Sequence, residues 1–372
     1  MIPFAGLARS LAIMLAAWSV GAPPAVAADL VIGVRADAPP FSYLAMPQSK
    51  KRSTEDSPPT GSGEVYTGYM ANICASVLAR MSKDRQFSVE WREVSAQGRF
   101  DELKTGRIDI LCDPATITPE RLSHAGVIVS PPVYLSGVGR AVVTRDEWAG
   151  HWPCIGPVVG IVKGTTAGFA ISNMAANFGF GETFSPIVQA HPDPDKVVLT
   201  DDERQSLTRC PGAVASYPGD VGKLAPYAAA ELDQTDPASA VVVRSYPDYE
   251  SLAKALCSGE IYYSAGDLEI ISLSLTTYKA LHPGCQAQPE EEVFSEERYA
   301  IFVHVSDAFD AGDRLALAFL RQLSIEIHQG SDSVLVRSFS DNFTPSEISR
   351  SLDLFLWSVV ARGKLTETET QQ

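Results

Sequence analysis

Short unbroken apolar runs alternate along this chain with stretches whose apolar residues recur at helical spacing. Leu30 to Val34 is such a run, the pattern of a strand covered on both faces, and Pro39-Pro40 forces a loop after it. Gly68-Tyr69-Met70 opens a predicted helix to about Met81, and Phe87 to Val94 supplies the next strand. From Gly98 to Arg121 the pattern is densest. Phe100, Leu103 and Ile108 have the spacing of an amphipathic helix turning at Thr105-Gly106. Ile108 to Cys112 then reads as a buried strand, interrupted by Asp109 and ended by Asp113-Pro114. Thr118, Pro119 and Glu120 read as N-cap, first-position proline and first-turn acid of another helix.

The same grammar recurs downstream. Val158 to Val162 is a predicted strand, and Gly164-Thr165-Thr166-Ala167 opens the helix after it. From Tyr249 a helix, a glycine turn and a strand lead to Asp267, with another helix from Leu268. Glu297 to Val305 is a further strand. Gly312 to His328 places Leu315, Ala318, Phe319, Leu323 and Ile327 on one helix face, and Thr344 to Gly363 does the same with Leu352, Phe355, Leu356 and Val359. No heptad array or short-period repeat is present.

Composition narrows the class. A chain of 372 residues has room for two lobes, and 45% hydrophobic with 20% charged residues is ordinary for a globular protein. The net charge of −15 argues against nucleic acid and against an anionic membrane surface as partners. Residues 1–28 read as a secretory signal: Arg9, an apolar core from Leu11 to Val20, and Ala25-Val26-Ala27 as cleavage site. That core is too short to span a bilayer, so an exported, soluble protein is expected. Six cysteines suit an oxidising compartment, with 15 formal pairings. No C-x-x-C or Cys/His cluster occurs, so neither a metal site nor a cofactor is predicted. Met46 to Gly63 reads as a long polar surface loop. The stretch from His191 to Glu250 holds eleven acids against five bases, an acidic docking face or a decorated surface.

Five residues carry candidate chemistry. Arg121 sits in a helix's first turn, where a cation opposes the dipole. Beside free N–H groups at a strand's carboxyl end it makes a carboxylate trap, or else it is a surface arginine paired with an acid. Arg35 leaves the carboxyl end of the first strand, where open α/β sheets bind ligands and where solvated end-caps are also common. Thr165 and Thr166 present hydroxyls at a strand-to-helix junction, as ligand contacts or as plain caps. Asp267 ends a strand, either as a ligand group or as an N-cap.

Gly106, Asp109, Thr116, Thr118 and Arg121 together resemble the ligand loop of the family 3 extracellular solute-binding proteins, the periplasmic amino-acid receptors of ABC importers. SAQGRF and the strand ending in Cys112 look most like the glutamate/aspartate-binding branch. The resemblance extends from Asp29 to about Ser340 and implies an α/β fold, periplasmic binding protein-like type II, with two lobes joined by two crossover strands. Lobe 1 is expected at 29–142 and 304–372, and lobe 2 at 143–303 with an insertion around 172–245. By the same resemblance Arg121 and Thr116 hold an α-carboxylate, and the Pro114 carbonyl and Asp267 hold the ammonium. Thr165 and Thr166 close from lobe 2, and Arg35 and Arg99 read a polar or dicarboxylic side chain. The implied lobes suggest the disulfides Cys74–Cys112, Cys154–Cys210 and Cys257–Cys285. A monomer serving an inner-membrane ABC permease from the periplasm is implied too. The chain departs from the family at Met70 and Asn72, where acids are usual, and Ala38 and Ala96 replace aromatic platforms of glutamine-type relatives. A few relatives are cyclohexadienyl dehydratases, so an enzyme on the same fold is the alternative, and a sensory subunit of a receptor is a third.

Overall fold

Strand β1 (Leu30–Val34) lies inside its sheet, and four of its five residues are buried apolar or glycine. The computed structural model describes residues 28–45, 65–143, 158–168, 170, 242–261, 263–329 and 332–343. β1 runs parallel to β5 (Val89–Glu93) on one side and to β6 (Ile110–Thr116) on the other. β14 (Glu297–His304) continues the sheet antiparallel to β6, and its far edge carries β7 (Val127–Val129) and β8 (Tyr134–Ser136). The second sheet repeats the plan. β10 (Val158–Val162) lies between parallel β11 (Val242–Tyr246) and β12 (Tyr263–Asp267). β9 (Val138–Val143) is antiparallel to β12 and to β13 (Ala287–Val293). In both sheets the first of the parallel strands lies between the next two, which makes a switch point there. The carboxyl ends of strands at such points are where α/β folds form ligand crevices.

Helices cover the sheets. α1 (Tyr69–Met81) buries Ile73, Val77 and Leu78, and a disulfide from Cys74 to Cys112 ties it to β6 with Cα atoms 6.3 Å apart. α2 (Arg99–Lys104) links β5 to β6. The short α3 (Pro119–Leu122) has Thr118 as N-cap, its hydroxyl accepting from the Arg121 amide, with proline at the first helical position as expected. In the second lobe α4 (Tyr249–Ser258) is capped by Asp248 and stopped by left-handed Gly259. α5 (Leu268–Leu281) follows β12. A disulfide from Cys257 to Cys285 joins the end of α4 to the turn before β13. α6 (Ala311–Ile327) opens with an Asp310/Asp313 capping box and packs with α7 (Val334–Asn342) against α1. These are two of the three disulfide pairs expected. Cys154, Cys210, the signal segment, most of the 172–245 insertion and the helix expected at 344–363 lie outside the described residues.

The two-lobe α/β fold is the one expected, and three local features differ from the expectation. β6 does not stop at Asp113-Pro114 but continues to Thr116, with all seven residues buried. The ladder with β14 shifts register between Ala300 and Phe302, so Pro114, which has no N–H to donate, sits at an irregularity where none is needed. A small third sheet of β2 (Asp37–Ala38), β3 (Ser42–Leu44) and β4 (Tyr66–Thr67) is not among the elements expected, and the polar loop expected at 46–63 lies outside the described residues. The crossings between sheets fall at Gly137 and at 294–296, since β9 already belongs to the second sheet and β14 to the first. They run side by side. The Phe294 amide donates to the Val138 carbonyl at 2.7 Å, and the Val138 amide to Ser295 Oγ at 3.1 Å.

Candidate functional site

The carboxyl ends of the two central switch points face each other, and the side chains leaving them interlock. Thr116 ends β6 in the first lobe, and Thr166 follows β10 in the second. Their hydroxyls are 3.3 Å apart and buried. Thr166 Oγ1 also donates to Glu297 Oε2 at 2.9 Å, and Glu297 Oε1 accepts from Ser295 Oγ at 2.7 Å, so the contact is anchored to the second crossing. Thr165 behaves differently. Its hydroxyl donates to the Val162 carbonyl of its own turn at 2.8 Å. Gly164, at φ +82°, lets the backbone press against the first lobe: an added Cβ would lie 2.5 Å from the Ala96 carbonyl oxygen and from Gln97 Cα.

Arg99 comes from the start of α2 and Asp113 from the middle of β6, and both are buried. Arg99 Nε lies 3.2 Å from Asp113 Oδ2, an ion pair by distance in which neither atom meets hydrogen-bond geometry. Asp113 Oδ1 accepts from Ser42 Oγ at 3.0 Å. Arg99 Nη2 reaches across to the Gly164 carbonyl at 3.5 Å, and Arg99 Nη1 has no hydrogen-bond partner. Burial pushes the Arg99 guanidinium down and the Asp113 carboxyl up, and each offsets this by holding the other charged. Removing either partner alone strands a buried charge, which typically costs about 3–5 kcal/mol.

Arg35 leaves β1 and is also buried. Its Nε and Nη2 donate to the two carboxylate oxygens of Asp37 at 2.8 and 2.9 Å, a bidentate pair. Its guanidinium lies 5.3 Å from the ring centre of Tyr249, the first residue of α4 in the other lobe. Asp113 and Asp37 keep the Arg35 guanidinium charged in spite of its burial.

Arg121 is held without a carboxylate partner among the described residues. It stacks on Phe100 at 4.4 Å, and Nη1 donates to the Thr116 carbonyl at 2.7 Å. Burial, with Arg99 nearby, lowers its pKa to about 10, against the pull of Asp113, Asp267 and Glu297. Asp267 closes β12 and is buried. Burial pushes its carboxyl up to about 7; the Tyr299 hydroxyl works the other way, and Glu297 and Glu269 add to the rise. Tyr249 donates to Asp267 Oδ2 at 3.4 Å. The Tyr299 hydroxyl lies near enough to Asp267 to favour its carboxylate, but neither it nor Oδ1 meets a partner in full hydrogen-bond geometry. Asp267 occupies the N-cap position of α5, but its side chain makes no cap bond.

Thr116, Thr166, Arg35, Arg99, Arg121 and Asp267 are therefore brought into one electrostatically coupled cluster between the lobes, with Thr165 at its edge. Pro114 lies in β6 between Asp113 and Ala115. Asp37, Asp113 and Glu297 were not singled out in the sequence. A signal existed for Asp113, because a carboxylate in an otherwise apolar strand needs a buried partner. Among the described residues no group of three or more His, Cys, Asp or Glu is placed to hold a metal.

No curated protein matches the chain. Among solved structures, an ancestral arginine-binding protein bound to glutamine is 16% identical with a TM-score of 0.48, over 84% of this chain and 97% of that one. A solute receptor for L-cysteine from Neisseria gonorrhoeae is 16% identical with a TM-score of 0.47, over 87% and 94%. An ancestral amino acid-binding protein described as a precursor of cyclohexadienyl dehydratase is 16% identical with a TM-score of 0.45, over 85% and 95%. At that degree of likeness, what those proteins bind says nothing of what this chain binds. Over residues 30–176, which hold β1 to β10 and the Gly164–Thr166 corner, the chain matches the family model of bacterial extracellular solute-binding proteins, family 3.

Proposed function

We propose that this chain is a periplasmic solute-binding protein that captures a small amino acid between its two lobes for uptake by an ABC permease. The observation that carries the reading is that Arg121 on one lobe and Asp267 on the other lie within electrostatic reach of each other without forming an ion pair, beside the Thr116–Thr166 contact. One guanidinium lacks a carboxylate partner among the described residues, and one buried carboxylate has an oxygen without a hydrogen bond. An amino acid carries the two complementary groups. Arg121 and the Thr116 hydroxyl take the α-carboxylate in charge-assisted hydrogen bonds, and Asp267, with the Pro114 carbonyl, takes the ammonium. Thr166 turns from Thr116 to the ligand, and Thr165 lines the same corner.

Binding and closure are coupled in this reading. Arg121 and Thr116 stand on the first lobe, Asp267 and Thr166 on the second, so a zwitterion held by one lobe completes its contacts only when the other arrives. A ligand with that differential affinity shifts the population toward the closed form. The test is a thermal-unfolding panel of the exported chain over the twenty amino acids. A ligand at 100 times its dissociation constant raises stability by about 2.7 kcal/mol. Arg121→Met is expected to abolish that rise while leaving the ligand-free transition in place. If no amino acid moves the transition, the receptor reading falls.

Chemistry in the same cleft has one observation in its favour. A buried carboxyl titrating near neutrality, as Asp267 does, suits a general acid. Incubation with prephenate or arogenate separates the two, since a receptor leaves both unchanged.

A further inference from the structure

The receptor reading leaves open which amino acids fit, and the carboxylates already in the cleft bear on that. The first lobe contributes three guanidiniums, Arg35, Arg99 and Arg121. A dicarboxylic ligand needs one of them for its α-carboxylate and another for its side chain. Asp37 grips Arg35 with both oxygens at 2.8 and 2.9 Å, and Asp113 lies 3.2 Å from Arg99 with no exposure to water. Arg121 alone is left without a carboxylate among the described residues.

We infer that Asp37 and Asp113 set the specificity of the cleft, by neutralising the two guanidiniums that a side-chain carboxylate would require, so that the ligand is an amino acid without an anionic side chain. The inference rests on the receptor reading and departs from the glutamate/aspartate preference that the sequence resemblance implies. The balance of charge is the physical reason. With Arg35 and Arg99 matched, and both Glu297 oxygens accepting from Thr166 and Ser295, the cleft offers one cation and one anion to a ligand, which is the complement of a zwitterion. A second ligand carboxylate near Arg35 would meet Asp37 on the same guanidinium, and near Arg99 it would meet Asp113, where like charges in a buried site repel strongly. Asp113 cannot turn away to make room, because Ser42 holds its other oxygen at 3.0 Å and β6 fixes its backbone. Asp37 is the adjustable member. It stands on the small β2 strand with its side chain 32% exposed, so replacing it removes no packed side chain, and Asp113 still faces the Arg35 guanidinium.

The experiment is calorimetric titration of the exported full chain with all twenty amino acids, reading two isosteric pairs closely: glutamate against glutamine and aspartate against asparagine. Within each pair shape is kept and charge differs. The expected result is that the ligands bound lack a side-chain carboxylate, and that any bound amide exceeds its acid by about tenfold or more. Asp37→Asn, which frees the Arg35 guanidinium, is expected to raise glutamate or aspartate affinity by about tenfold or more. Asp37→Ser is run beside it, with thermal unfolding confirming that each variant is folded. Glutamate or aspartate binding to the unaltered chain as tightly as its amide overturns the inference and leaves the receptor reading standing. A folded Asp37 variant with no gain in acidic-ligand affinity overturns the part assigned to Asp37. Absence of binding by every amino acid overturns the receptor reading and this inference together.

Discussion

At the scale of single residues, burial does the sorting among the charged groups of the cleft. Asp267 shows this most clearly, because water is excluded from it and two acids, Glu297 and Glu269, stand near it. Its folded-state carboxyl titrates at about 7, against an ordinary value of 3.8. The folded protein thus binds more protons than the unfolded chain between those values, and this residue's contribution to stability falls as pH rises through that window. A ligand ammonium reverses the preference, since it favours the carboxylate. Affinity for a zwitterion is therefore expected to weaken as pH drops below about 7, and Asp267→Asn to bind weakly and without that pH dependence. Titration between pH 5.5 and 8.5 checks this, and a flat profile for the unaltered chain would remove Asp267 from the ammonium site. The Arg99–Asp113 pair belongs to the same scale. Asp113→Ala is expected to lower unfolding stability by about 3–5 kcal/mol, because it strands a buried guanidinium. Adding Arg99→Met should restore much of that loss, as urea unfolding of the single and double variants would reveal.

At the scale of elements, the two lobes touch through their backbones. Gly164 follows β10 at φ +82° and lies against Ala96 and Gln97 of the opposite lobe, while its carbonyl accepts from Arg99. Alanine there adds a methyl group 2.5 Å from the Ala96 carbonyl and strains the left-handed backbone by roughly 1–2 kcal/mol. Gly164→Ala is therefore expected to weaken ligand affinity more than it lowers ligand-free stability, a comparison that calorimetry and thermal unfolding make directly. Equal losses in both would place the glycine's role in folding alone. Much at this scale was legible beforehand. The Thr118-Pro119 helix start, the left-handed stop at Gly106 and the strands β1 and β10 follow from local rules about caps, proline and apolar runs. The end of β6 did not. Asp113-Pro114 has the local signature of a strand terminus, yet a register shift against β14 and the ion pair with Arg99 carry the strand on to Thr116.

At the scale of the whole molecule, two lobes share crossings at Gly137 and 294–296, and each lobe is pinned by a disulfide. The Cys257–Cys285 bridge closes a loop with a sequence separation of 28, which by chain entropy stabilises the second lobe by about 3–4 kcal/mol. Replacing both cysteines with serine is expected to lower that lobe's unfolding midpoint in denaturant and to leave ligand selectivity unchanged, because neither cysteine reaches the cleft cluster. A change in selectivity would show that α4, which presents Tyr249 to Arg35, is positioned by the bridge.

The sequence by itself determined the kind and order of most of the elements described, and where along them the guanidiniums, hydroxyls and carboxylates stand. Those depend on spacing within a few residues, and such spacing is written in the chain. Only the tertiary structure decided which carboxylate meets which guanidinium. Arg35 and Asp37 are near neighbours in sequence, but their pairing depends on β2 folding back as part of a third sheet. Arg99 and Asp113 are joined by the packing of α2 beside β6, and Thr116 and Thr166 by the meeting of two lobes. Buried charges choose partners by distance in a medium that screens them poorly, and distance between remote residues is fixed only once the chain is folded.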